Sequence, residues 1–107
     1  METISYKPKT AFNHYKQNEI MSLGPVQLIL KVYDHIIVNS KARNYDNVSA
    51  GLTQLIAALN FDYREVSLGF FKLYRYCQNQ AQKGNFDEVA KIIGQLRSAW
   101  AQAFKLS

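Results

Sequence analysis

Cys77, His14 and His35 are the side chains of this chain best suited to nucleophilic or metal chemistry. Their spacing argues against both. A catalytic thiolate needs a low pKa and partial exposure. Cys77 instead falls on the inward stripe of an expected helix, where cysteine acts as a small, inert apolar residue. Neither histidine has a ligand-type neighbour four residues away, and a lone cysteine cannot assemble a zinc site. Asp34, Asp46, Asp62 and Asp87 fall at helix ends or on an outer face, where capping or solvation accounts for them. No glycine-rich phosphate loop is present. The expectation is a binding protein with no catalytic residues, metal or cofactor.

What remains is the chemistry of apolar surface. Residues 25–43 predict a helix carrying Val26, Leu28, Ile29, Leu30, Val32, Tyr33, Ile36 and Ile37. With successive side chains ~100° apart, these cover roughly 200°, twice the arc that one core contact needs. A helix from about Asp46 to Leu59 has the narrower stripe Val48, Leu52, Leu55, Ile56 and Leu59. Asn60-Phe61-Asp62 predicts a turn. A helix from about Tyr63 to Lys83 turns Val66, Phe70, Leu73, Tyr74 and Cys77 inward and leaves Leu68 and Phe71 off the stripe. Gly84 ends it, since glycine takes the left-handed conformation at a helix terminus. Asn85 with Glu88 resembles a capping box opening the last helix, whose stripe is Val89, Ile92, Ile93, Leu96, Trp100 and Phe104. A short helix over Thr10–Met21 carries Phe12 and Tyr15 on one side, and Pro25 suits the first helical position.

Short connections between long helices predict an all-α, antiparallel up-down four-helix bundle with a short N-terminal helix. Trp100, Leu96, Leu55 and Leu73 are expected to pack together inside it. The exposed apolar candidates for partner binding are Leu28, Val32, Leu68 and Phe71. Tyr33 and Tyr74 would support the groove, and Phe12 and Tyr15 would cover or complete it.

The composition agrees with one self-sufficient domain. The chain has 107 residues, 48% of them hydrophobic and 20% charged, enough to bury a core without disulfides or metal. The net charge is +5, but no two cations are adjacent, which disfavours a phosphate-binding stripe and hence nucleic acid. A single cysteine suits a reducing compartment. The opening METISYKPKT has no apolar signal-peptide core. The apolar stretch Val26–Val38 is interrupted by Gln27, Lys31, Asp34 and His35, so it cannot span a membrane. The expected location is cytoplasmic.

The sequence also echoes itself. Asn44-Tyr45-Asp46-Asn47-Val48 matches Asn85-Phe86-Asp87-Glu88-Val89 at an offset of 41, and Val32-Tyr33 meets Leu73-Tyr74 at the same offset. The two hairpins read as related units.

Tyr15-Lys-Gln-Asn18, Pro25-x-x-Leu28, Val32-Tyr33-Asp34, the Ala-Leu-Asn-Phe-Asp turn, Leu73-Tyr74-x-Tyr76 and Leu96-Arg97-x-Ala99-Trp100 occur in this order. Over residues 11–101 the set resembles the flagellin export chaperone family, FliS. The resemblance implies a four-helix bundle that binds the disordered C-terminal region of flagellin in the cytoplasm. Binding would prevent premature polymerisation and present the subunit for export, with other export components as further partners. Two departures stand out. Gly24 replaces the Ser or Thr that usually precedes the proline. The chain also lacks about two turns per long helix near the 43–46 and 83–86 connections, a loss that preserves core register because seven residues are nearly two turns. Two rival readings are a homo-oligomeric structural or adaptor protein, whose spare apolar faces are self-interfaces, and a basic nucleic-acid or regulator-binding adaptor.

Overall fold

The computed structural model describes residues 25–105. Among them it forms four helices and no strand: α1 Pro25–Lys41, α2 Tyr45–Ala57, α3 Arg64–Gln82 and α4 Phe86–Ala103. The all-α expectation holds for these residues. The short helix expected over Thr10–Met21, and with it Phe12, Tyr15 and the Gly24 position, lies outside them. None of the described helices is long and apolar enough to cross a membrane.

The helix ends are set by local hydrogen bonding. After α3, Gly84 takes φ 81°. Its N–H bonds the Ala81 carbonyl at 3.0 Å, and the Asn85 N–H bonds the Gln80 carbonyl at 2.9 Å. These are the two bonds of a Schellman motif, which satisfies carbonyls that the helix leaves open. The α1 end repeats the motif 41 residues earlier, with Arg43 N–H on Ser40 at 3.0 Å and Asn44 N–H on Asn39 at 2.9 Å. Here the left-handed position is Arg43, at φ 57°. This is why α1 stops at Lys41, short of the expected Arg43. The Arg43 guanidinium donates to the Gly84 carbonyl at 3.1 Å and lies 5.3 Å from the Phe86 ring centroid. The two connections thus lie side by side.

The N-caps diverge. Asn44 Oδ1 accepts from the Asn47 N–H at 3.1 Å and caps α2. The capping box expected at Asn85 and Glu88 does not form: Asn85 makes no side-chain cap bond. Its amide donates to Gln80 Oε1 at 2.8 Å, and Glu88 accepts from the Tyr76 hydroxyl at 3.0 Å. Tyr76 therefore claims the carboxylate that would have closed the box. In the expected turn, Asn60 Oδ1 accepts from the Asp62 N–H at 2.9 Å, and the Ser67 hydroxyl donates to the Asn60 carbonyl.

Each helix packs on the next in sequence, and α4 returns to pack on α1. The core carries the internal repeat. Tyr33 and Tyr74, Ile36 and Cys77, Ser40 and Ala81, Val48 and Val89, and Leu52 and Ile93 are buried pairs, each 41 apart. The Tyr33 and Tyr74 hydroxyls bond each other at 2.8 Å. Equivalent residues meeting in this way mark a pseudo-two-fold relation between the hairpins, since self-complementary contacts lie on such an axis. An ion pair from Arg97 to Asp34 ties α4 to α1, with the second contact, Nη2 to Oδ2, at 3.4 Å. Asp34 therefore has a cross-helix partner, not the purely solvated role expected of it.

The α1–α2 approach depends on Gly51. A Cβ there would fall 2.6 Å from Ile36 Cγ1 and 3.2 Å from His35 Cδ2, and Ile36 is fully buried, so it cannot yield. Gly51→Ala should cost a net ~1–2 kcal/mol, overpacking outweighing the helix preference for alanine. Gly69→Ala, with nothing within 4 Å of its Cβ, should instead gain ~0.5–1 kcal/mol. Urea denaturation of both variants checks the opposite signs.

Candidate functional site

Tyr33 and Tyr74 are almost completely buried, so they can only support a surface from beneath. Burial raises the pKa of both phenols; the two hydroxyls bond each other, and Trp100 is a second hydrogen-bond partner of Tyr33. Buried beside them, Cys77 has its thiol pushed up to about 12 by desolvation. It is therefore a thiol at neutral pH, in the inward position the periodicity assigned to it. Among the described residues no three of His, Cys, Asp and Glu come together as a metal site would require.

The four apolar candidates differ from one another. Leu68 is exposed, at 38%. Phe71 is half-buried, its ring edge-on to Phe61 with centroids 6.4 Å apart. Leu28 is half-buried. Val32 is half-buried and packs against the buried core, so it is not the outer-face residue its off-centre position suggested.

The four do not line one groove. Leu28, Val32, His35 and Asn39 follow a 4-3-4 spacing and form one ridge of α1. His35 Nε2–H donates to the Asn47 carbonyl at 3.2 Å, and Asn39 Oδ1 accepts from the Asn47 amide at 3.0 Å. This ridge therefore faces α2. On α3, Phe71 and Gln78 are seven apart and share a face, and the Gln78 amide reaches Thr53 of α2 at 3.4 Å. Leu28 and Val32 thus flank α2 from one side, while Phe71, with Leu68 one turn before it, flanks α2 from the other.

A second apolar surface emerges where α3 begins and α4 ends. The rings of Phe70 and Trp100 lie 5.9 Å apart, and those of Trp100 and Phe104 also 5.9 Å. Phe70 stacks in turn on Tyr74 at 5.8 Å. This aromatic ladder leads from the buried tyrosine pair out to Phe104, which is 55% exposed. Beside it Val66 is 63% exposed, and Phe61 and Tyr63 are exposed in the connection. Val66, expected inward, is a correction: the inward stripe of α3 is Ser67, Tyr74, Cys77 and Ala81, and Val66 stands about 100° away from Ser67. Trp100 and Leu73, expected inside, are half-buried, while Leu55 is buried. The missed residues sit in a turn and in terminal helical turns, where periodicity alone cannot say how far facing helices extend. Four aromatics within residues 61–71, with Trp100 and Phe104 near the other end of the chain, are the available signal.

Compared with family models, curated proteins and solved structures, the chain matches none of them.

Proposed function

We propose that this chain is a flagellar export chaperone: a cytoplasmic, up-down-up-down helical bundle that binds the disordered C-terminal segment of flagellin through its spare apolar surface. Binding keeps the subunit from polymerising early and presents it for export. The observation that carries the reading is the ordered set of motifs from Tyr15-Lys-Gln-Asn18 to Leu96-Arg97-x-Ala99-Trp100, together with solvent-facing apolar side chains at Leu68, Val66, Phe61 and Phe104. An antiparallel course for neighbouring helices is supported by the links of three residues, 42–44 and 83–85, between consecutive helices. It is further supported by the parallel course of α1 and α3, which touch both at Tyr33–Tyr74 and, at their ends, at Arg43–Gly84.

The physical logic is coupled folding. A disordered segment that orders on binding wraps a large surface and anchors through apolar side chains at helical spacing. Apolar seams on both sides of α2, and a third surface where α3 meets α4, suit a partner that wraps. A single rigid helix would meet only one of them.

Leu68→Glu is the cleanest variant, because Leu68 is the most exposed of the four sequence-derived anchors. It should weaken a fluorescently labelled flagellin C-terminal segment at least tenfold by anisotropy, ~1.4 kcal/mol, with Tm nearly unchanged. Val32→Glu should weaken binding and lower Tm together, since Val32 also packs on the core. Normal binding by both variants would place the segment elsewhere.

A further inference from the structure

We infer that α3 is the lid of this bundle: it swings away from α1, α2 and α4 as a unit while those three stay packed, and so uncovers the core without global unfolding. This opening is a property of the bundle itself and does not depend on the function proposed above.

The aliphatic core belongs to three helices. Among the described residues its fully buried members are Ile36 of α1, Val48 and Leu52 of α2, and Val89 and Ile93 of α4. The buried residues of α3 are Ser67, Tyr74, Cys77 and Ala81; none is a valine, isoleucine or leucine. The larger apolar side chains of α3 are half-buried, as Phe70 and Leu73 are, or exposed, as Val66 and Leu68 are. Packing follows the same division. The interfaces of α3 with α2 and with α4 are the two least extensive of the four between neighbouring helices, and that of α1 with α4 is the most extensive. Apolar burial is the main force holding the helices together. The helix with the least of it is the one that detaches at the lowest cost, as a local unit below the global free energy.

The polar links of α3 to the other helices are ones that water can replace. Tyr76 bonds Glu88 at 3.0 Å and Gln78 reaches Thr53 at 3.4 Å, both at exposed positions. An exposed hydrogen bond is exchanged for one to water at small net cost. The third link, Tyr74 to Tyr33 at 2.8 Å, is buried. On opening, the Tyr74 hydroxyl passes to water and Tyr33 keeps Trp100 of α4 as a partner, so neither phenol is left buried and unpaired. Trp100 loses the Phe70 ring but keeps its stack on Phe104. The Arg97–Asp34 ion pair, between α4 and α1, is untouched. The links 58–63 and 83–85 keep α3 tethered on either side.

Cys77 reports the motion, because it is the only cysteine and is fully buried on α3. The full chain is labelled with 5,5′-dithiobis(2-nitrobenzoate) in native buffer, at concentrations where the rate is first order in reagent. Dividing that rate by the rate for an unstructured cysteine peptide gives the opening constant. Urea denaturation followed by circular dichroism gives the global unfolding constant. The opening constant should exceed the global one at least tenfold and rise with urea on a clearly smaller slope, since less surface is exposed. Asn44→Ala separates the two routes. It removes the side-chain cap of α2, which stays formed when α3 opens. It should raise the global unfolding constant roughly fivefold and leave Cys77 labelling unchanged within twofold. Residue-level amide exchange should likewise give α3 lower protection than α1 and α4. Labelling that matches the global constant, shares its urea slope or rises fivefold in Asn44→Ala overturns the lid. So does amide protection in α3 equal to that in α1 and α4.

Discussion

Leu52→Ala should destabilise the protein by ~2–5 kcal/mol, and Ile93→Ala should cost a similar amount. Both side chains are fully buried, and they occupy equivalent places in the two hairpins, 41 residues apart. Each truncation removes buried methyl groups and leaves a cavity that closely packed neighbours fill only in part. The pseudo-symmetry adds a sharper demand. The two losses should agree within about 1 kcal/mol, and because the positions lie on different helices and hairpins, the double variant should be close to additive if the sites do not share a relaxing cavity. Equilibrium urea denaturation of the three variants measures this. A twofold or larger disparity between the single variants would show that the hairpins do not share the load.

Raising the pH above about 9 should unfold the protein progressively, with the steepest loss above pH 10. Three buried weak acids, Cys77, Tyr33 and Tyr74, are held neutral in the fold, chiefly by desolvation. In the unfolded chain they ionise near their ordinary values of 9.0 for the thiol and 10.0 for the phenols. The sign follows from proton counts. Above those values the unfolded state releases protons that the native state keeps, so stability falls with rising pH. For Cys77 the window runs from about 9 to about 12; for the two tyrosines it opens at 10.0. Each group contributes a loss of roughly 1.4 kcal/mol per pH unit inside its window. Below pH 9 the three groups add no pH dependence. Thermal melts from pH 8 to 11 should show Tm flat and then falling. The double substitution Tyr33→Phe with Tyr74→Phe removes both hydroxyls together, so that of the groups they bond only Trp100 loses a partner, and should make the decline above pH 10 visibly shallower. A Tm independent of pH up to 11 would mean that these groups reach water readily.

Much of this fold is legible in the residues themselves. Pro25, Gly84, the Asn60-Phe61-Asp62 turn and the 3.6-residue stripes fix four helices to within about two residues at each end, because caps and turns are local chemistry. The offset of 41 was visible as matched letters, yet its consequence, two tyrosine hydroxyls meeting in the core, needs three-dimensional pairing. The expected helix end at about Arg43 overshoots the observed one at Lys41, because nothing in the type of Arg43 signals its left-handed conformation. It is held there by bonds on both sides of the turn and by Gly84 and Phe86.

The binding surface was less legible. Helical periodicity ranks side chains by angle around one axis, and it correctly set Leu68 apart from the core stripe. It does not say what lies opposite. Val66 falls near the inward arc but stands beyond its neighbours' cover, whereas Val32 falls off-centre and still packs on the core. Leu28 and Phe71 look like members of one face until α2 is seen between them.

The most direct test of the account is a calorimetric titration of purified monomeric flagellin into this protein, run in parallel with flagellin lacking its C-terminal segment. The account predicts saturable binding of the intact subunit, with a negative heat-capacity change from apolar burial and little sensitivity to added salt, and no binding of the truncated subunit. Equal binding of both forms, or no binding of either, would contradict it.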